Sequence, residues 1–152
     1  TYELGYMQHS ARESFKLIDF EYPLSIAKLA YDRGARSIAL VSAVGAQEGS
    51  FNYYFHIKGK LENEIRKIGY ENICFARPGH LLGARKDFRG YEIPILESGL
   101  RIAAPFMQGP LKNFRQIEAR QVAKRMVMNL LNKQKGESYL YYEDFLKTET
   151  FE

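Results

Sequence analysis

Apolar positions fall at helical spacing in some stretches and in short unbroken runs in others. Leu24, Ala27, Leu29, Ala30 and Tyr31 form a helical face running to about Arg33. Asp19 is the expected N-cap, Pro23 lies near the start, and Gly34 ends the helix. Residues 37–42 are a continuous apolar run without alternation, the pattern of a fully buried strand. Ile57, Leu61 and Ile65 recur every four residues, predicting a helix over 52–68 that Gly69 closes. Lys60, Glu62, Glu64 and Arg66 lie off that stripe and are expected to face solvent. Residues 72–76, NICFA, read as a second buried strand.

Further on, 94–107 predicts a helix closed by Pro105, and LKNFRQI a short extended piece. Glu118–Lys133 predicts an amphipathic helix with Val122, Met126 and Leu130 on one stripe and Ala119, Ala123 and Val127 beside it. YLYY at 139–142 reads as a last strand, and 144–147 as one helical turn. Helices and strands alternating with short connections predict an α/β fold, a parallel sheet with helices on its faces.

Length and composition narrow the class. A chain of 152 residues, 45% hydrophobic and 26% charged, is a single domain over 1–152 able to bury a core. Its net charge of +4 is scattered among acidic residues, so no basic stripe marks a nucleic-acid surface. No apolar run reaches the roughly 20 residues of a membrane span. The lone Cys74 sits in an apolar run, and an unpaired buried thiol points to a reducing, cytoplasmic setting. His9 lies in a polar loop with no neighbours that would complete a metal set, so no metal is expected.

The candidate chemistry lies in residues 36–62. The strand at 37–42 ends in the hydroxyl of Ser42, a small Gly-containing loop follows, and the next helix carries Tyr54 and Lys58 one turn apart. An ammonium beside a phenol stabilises the phenolate and lowers a pKa that otherwise sits near about 10. Such a phenol exchanges protons with a carbonyl or an alcohol. With eleven tyrosines in the chain, about one YxxxK arises by chance, so the spacing needs its context. After the second strand, Pro78-Gly79 turns the chain at the carboxyl end of the sheet, where open α/β folds bind ligands. Arg77, Arg85, Lys86 and Arg89 follow there, either as a solvated loop or as contacts to a phosphate or carboxylate.

Taken together, LVSAVGA, YFHIKGKLE and CFARPGHLLGAR resemble the short-chain dehydrogenase/reductase superfamily. The resemblance is to its atypical branch of NAD(P)-binding oxidoreductases, the TIP30-like (Tat-interacting protein) group. It implies the C-terminal part of a Rossmann-like domain, with roughly 70 residues of the usual fold, including the GxxGxxG fingerprint, absent from this chain. It also implies that Tyr54 is the acid-base residue, that Lys58 tunes it and binds the nicotinamide ribose, and that Ser42 steadies a substrate carbonyl. Gly5, Arg77, Pro78 and Leu81 would border an NADP or NAD cofactor. Ala43 stands where the superfamily often carries a second, catalytic hydroxyl, for which Ser50 or water would have to substitute.

The activity so implied is NAD(P)-dependent oxidoreduction of a small carbonyl or alcohol, commonly by a homodimer. Two alternatives stand beside it. One is a dinucleotide-sensing regulator without turnover. The other is a nucleotide-sugar epimerase or dehydratase, disfavoured by the short chain after residue 90.

Overall fold

The computed structural model describes residues 11–82, 109–132 and 135–147. Gly5, His9, Arg85, Lys86, Arg89 and the expected helix at 94–107 lie outside them.

The first helix begins well before its expected cap. Residues 11–16 are helical and pass through a π-helical turn, Leu17–Glu21, into α1, Tyr22–Asp32. In a regular α-helix the ring of Pro23 would collide with the carbonyl of residue 19, and the widened turn lies just ahead of it. Asp19 therefore caps nothing. It lies inside the helical run while its neighbour Phe20 enters the core.

Strand β1, Ser37–Val41, follows, then α2, Tyr53–Ile68, and β2, Asn72–Ala76. The Asn52 side chain caps α2 by accepting from the Tyr54 amide at 2.9 Å, and Gly69 closes it at φ 98°. Beyond β2 come β3 (His80–Leu82), a 3₁₀ helix (Gly109–Phe114), β4 (Gln116–Glu118) and α3 (Ala119–Leu131). Strand β5, Gly136–Leu140, and the short α4, Tyr142–Leu146, complete the order. Most of the piece expected to be extended before β4 is thus 3₁₀, and the last strand starts three residues earlier than its aromatic run.

The fold is α/β with a parallel sheet flanked by helices, as the pattern predicts. Its main sheet runs β1-β2-β5, all parallel, with Ala39 opposite Cys74 and Cys74 opposite Ser138. β3 and β4 form a separate parallel pair. Strand β2 is buried along its whole length, and its alternation divides the core in two. Ile73 and Phe75 pack against Phe20, Ala27, Ile57, Leu61 and Ile65 of the first helical run and α2. Cys74 and Ala76 pack against Ile117, Val122, Leu140 and Phe145 on the opposite face. Each large apolar side chain so buried stabilises the fold by about 1.5–3 kcal/mol.

Two burial expectations are corrected. β1 is only half-buried, because among the described residues it is an edge strand paired on one side. Glu62, expected in solvent, is 1% exposed, because β2 delivers Arg77 beside it.

Candidate functional site

The carboxyl ends of β1 and β2 open into a cleft of about 430 Å³, within the ordinary size range of small-molecule sites. Val41 and Ser42 border it from the end of β1, Tyr54 and Lys58 from α2, and residues 78–81 from the turn after β2. Phe15 and Asp19 close it from the first helical run.

The walls are tied together by backbone. The Ser42 amide donates to the Ala76 carbonyl at 2.7 Å, and the Val44 amide to the Pro78 carbonyl at 3.0 Å. The Gln47 amide donates to the Phe55 carbonyl at 3.1 Å, which lays the 42–52 loop along α2. Gly59 makes that close approach possible: a Cβ there would sit 2.5 Å from the Gln47 Cα, deep inside contact distance. The glycine after Lys58 in YxxxKG is therefore a packing requirement of the loop. Gly79 has the same role against Phe114, whose backbone would lie 2.6 Å from an added Cβ.

Within the cleft, Lys58 Nζ lies 2.7 Å from Asp19 Oδ1 and 5.9 Å from the centre of the Tyr54 ring. The ammonium expected to tune the phenol is thus held by a carboxylate, and the pair is largely shielded from solvent (13% and 28% exposed side chains). The two charges cancel, so this pair gives the cleft no net charge. Ser42 contributes a hydroxyl that is buried without a hydrogen-bond partner among the described residues. Such a group calls for an explanation, because buried polar atoms are nearly always satisfied. Ala43 is buried away from the cleft, so the hydroxyl position that matters here is Ser42. Ser50 does not border the cleft either; its Oγ accepts from the Asn52 amide at 3.2 Å.

The structure brings Ser42, Tyr54, Lys58, Pro78 and Leu81 to one cleft and leaves Arg77 out of it. Arg77 turns to the opposite side of the strand end and grips Glu62, with Nε 2.9 Å from Oε1 and Nη2 2.5 Å from Oε2. That bidentate pair holds the guanidinium even more firmly protonated than usual. Three cleft residues escaped sequence reading. Asp19 was disguised as a cap, Phe15 stands before the expected helix, and His80 sits unremarked in the RPGH turn.

For NADP or NAD, the cleft offers polar groups suited to a ribose or a carbonyl-bearing ring. Among the described residues no Gly-rich turn at a helix N-terminus offers to hold a pyrophosphate. The first turn of α2 is capped by its own Asn52.

No family model matches the chain. The chain is similar to Protein FMP52, mitochondrial, of Candida albicans, 39% identical over 101 residues, which are 66% of this chain and 44% of that one. It is also similar to the FMP52 proteins of Debaryomyces hansenii, 41% identical over 78 residues (51% and 34% of the two chains), and Saccharomyces cerevisiae, 37% over 70 residues (46% and 30%). The chain spans less than half the length of these curated relatives.

These relatives correct three expectations. Their name is not that of a short-chain dehydrogenase or of the TIP30-like group, so that resemblance is withdrawn, and the NAD(P)-dependent oxidoreductase reading with it. The motifs behind it were short, and YxxxK occurs at chance frequency. The dinucleotide-sensor and epimerase alternatives rested on the same resemblance and go with it. The cytoplasmic setting is corrected by the mitochondrial designation of the relatives. A buried free thiol reports reducing surroundings without naming the compartment.

Proposed function

We propose that the cleft at the ends of β1 and β2 binds a small, neutral molecule carrying a hydroxyl or carbonyl group. The Ser42 hydroxyl carries the reading: Ser42 lines the cleft, and its buried Oγ has no hydrogen-bond partner among the described residues. Ser42 Oγ is closed to solvent here, so a ligand oxygen reaches it where the cleft wall yields, and the Tyr54 phenol and the Asp19–Lys58 pair supply further hydrogen bonds and a route for a proton. NADP and NAD, anionic through their phosphates, fit this neutral cleft only through their ribose and nicotinamide ends, with Lys58, Pro78 and Leu81 as contacts. The names of the relatives support a mitochondrial location, which cell fractionation tests.

Ligand-observed NMR with a panel of short hydroxy and keto compounds, NAD and NADP provides the test. The expected result is a binder whose affinity falls about tenfold in both Ser42→Ala and Lys58→Met, the scale of one lost hydrogen bond to a buried group. Binding indifferent to both substitutions, or no binder in the panel, overturns the proposal.

A further inference from the structure

Beside the polar cleft lies a second, shallower groove of about 250 Å³, formed by Ala11, Arg12, Phe15, Tyr53 and Tyr54. The surface that it presents is almost wholly carbon. Phe15 is the keystone, its ring centre 6.0 Å from that of Tyr53 and 5.7 Å from that of Tyr54. The Tyr53 hydroxyl is turned away to the Arg12 carbonyl at 3.3 Å, and the Arg12 guanidinium lies 5.4 Å from the centre of the Tyr53 ring. The groove therefore offers aromatic faces and almost no hydrogen-bonding surface.

Phe15 and Tyr54 line both spaces, so the groove adjoins the cleft. One ligand lying across these two rings would reach both. A sugar would set several hydroxyls against these carbons without partners, at a cost that buried polar groups rarely bear. A hydrocarbon chain or ring would not. The volume is ample, since a dry cavity of about 150 Å³ takes up benzene. The neutral Asp19–Lys58 pair in the adjoining cleft asks for no charge on the ligand head.

We propose that the ligand is amphipathic: a hydroxyl or carbonyl head in the cleft, and an apolar tail along Phe15, Tyr53 and Tyr54. This rests on the cleft reading given above for the head and adds the chemical class of the rest. The groove sets specificity by tail length.

Primary alcohols from ethanol to octanol, titrated by NMR, test it. The expected result is an affinity that rises about three- to fourfold per methylene until the groove is filled, the increment of a buried CH₂. Tyr53→Ala should flatten that rise while leaving ethanol binding intact. Ala11→Trp, at an exposed position outside the core, should block the groove with the fold undisturbed and flatten it equally. A flat series in the unmodified protein, or a rise that persists in both variants, overturns the proposal. If the rise depends on Tyr53 and Ala11 but Ser42→Ala and Lys58→Met leave every alcohol unaffected, the tail groove stands and the polar-cleft reading fails.

Discussion

Lys58 and Asp19, 39 positions apart, meet at 2.7 Å and join the first helical run to α2 across the mouth of the cleft. Because the pair is mostly shielded, removing one partner leaves the other charge poorly solvated. Asp19→Asn and Lys58→Met should each destabilise the chain by about 1–3 kcal/mol. The double variant should lose less than the sum, with a coupling of at least about 0.5 kcal/mol in urea titrations followed by tyrosine fluorescence. Additive losses would mean that the two side chains do not interact.

Glu62 makes the second prediction. Its carboxylate is 1% exposed and holds Arg77 through two hydrogen bonds, with Arg66 Nη2 a further 3.5 Å away. Glu62→Ala strands guanidinium charge in a half-buried site and should cost about 3–5 kcal/mol of unfolding free energy. A loss below about 1 kcal/mol would place Arg77 in solvent.

Gly59 should reverse a general rule. Replacing a helix-interior glycine by alanine ordinarily stabilises by about 1 kcal/mol. Here the added Cβ meets the backbone of residues 47 and 48, which cannot yield without moving the cleft loop. Gly59→Ala should lower the melting temperature and weaken ligand binding together. A higher melting temperature would contradict the close approach.

The alkaline limb of stability should report Cys74. Burial pushes this thiol up from its ordinary value of 9.0. An acid raised on folding stays protonated in the native chain while the unfolded chain ionises, so stability holds below about pH 9 and declines as pH rises above it. In Cys74→Ala, chemical denaturation at pH 8 and pH 10 should show a smaller decline. An unchanged decline would assign it to other groups, such as Tyr70, which burial also raises.

Sequence pattern reached the frame of this fold more readily than its polar contacts. Ile57, Leu61 and Ile65 show their burial through spacing, and NICFA shows its strand through unbroken apolarity, because both signals are local. Glu62 and Asp19 do not, since a carboxylate reads as solvent-facing or as a cap until its distant cation is known. Phe15 is hidden for a related reason: the pattern starts the helix at Asp19, and the π-turn before Pro23 lets it begin earlier. Tyr54, Lys58 and Ser42 were legible because strand, loop and helix place them within seventeen consecutive residues. The chemistry attached to them through resemblance went beyond what short motifs carry.

Residue-resolved amide shift mapping of a hydroxyl- or carbonyl-bearing binder tests the central claim most directly. The perturbed amides should cluster at 41–43, 54, 58 and 79–81, around the Ser42 hydroxyl. A cluster instead along Lys124, Arg125 and Lys147, which line a separate small groove between α3 and α4, would contradict the account.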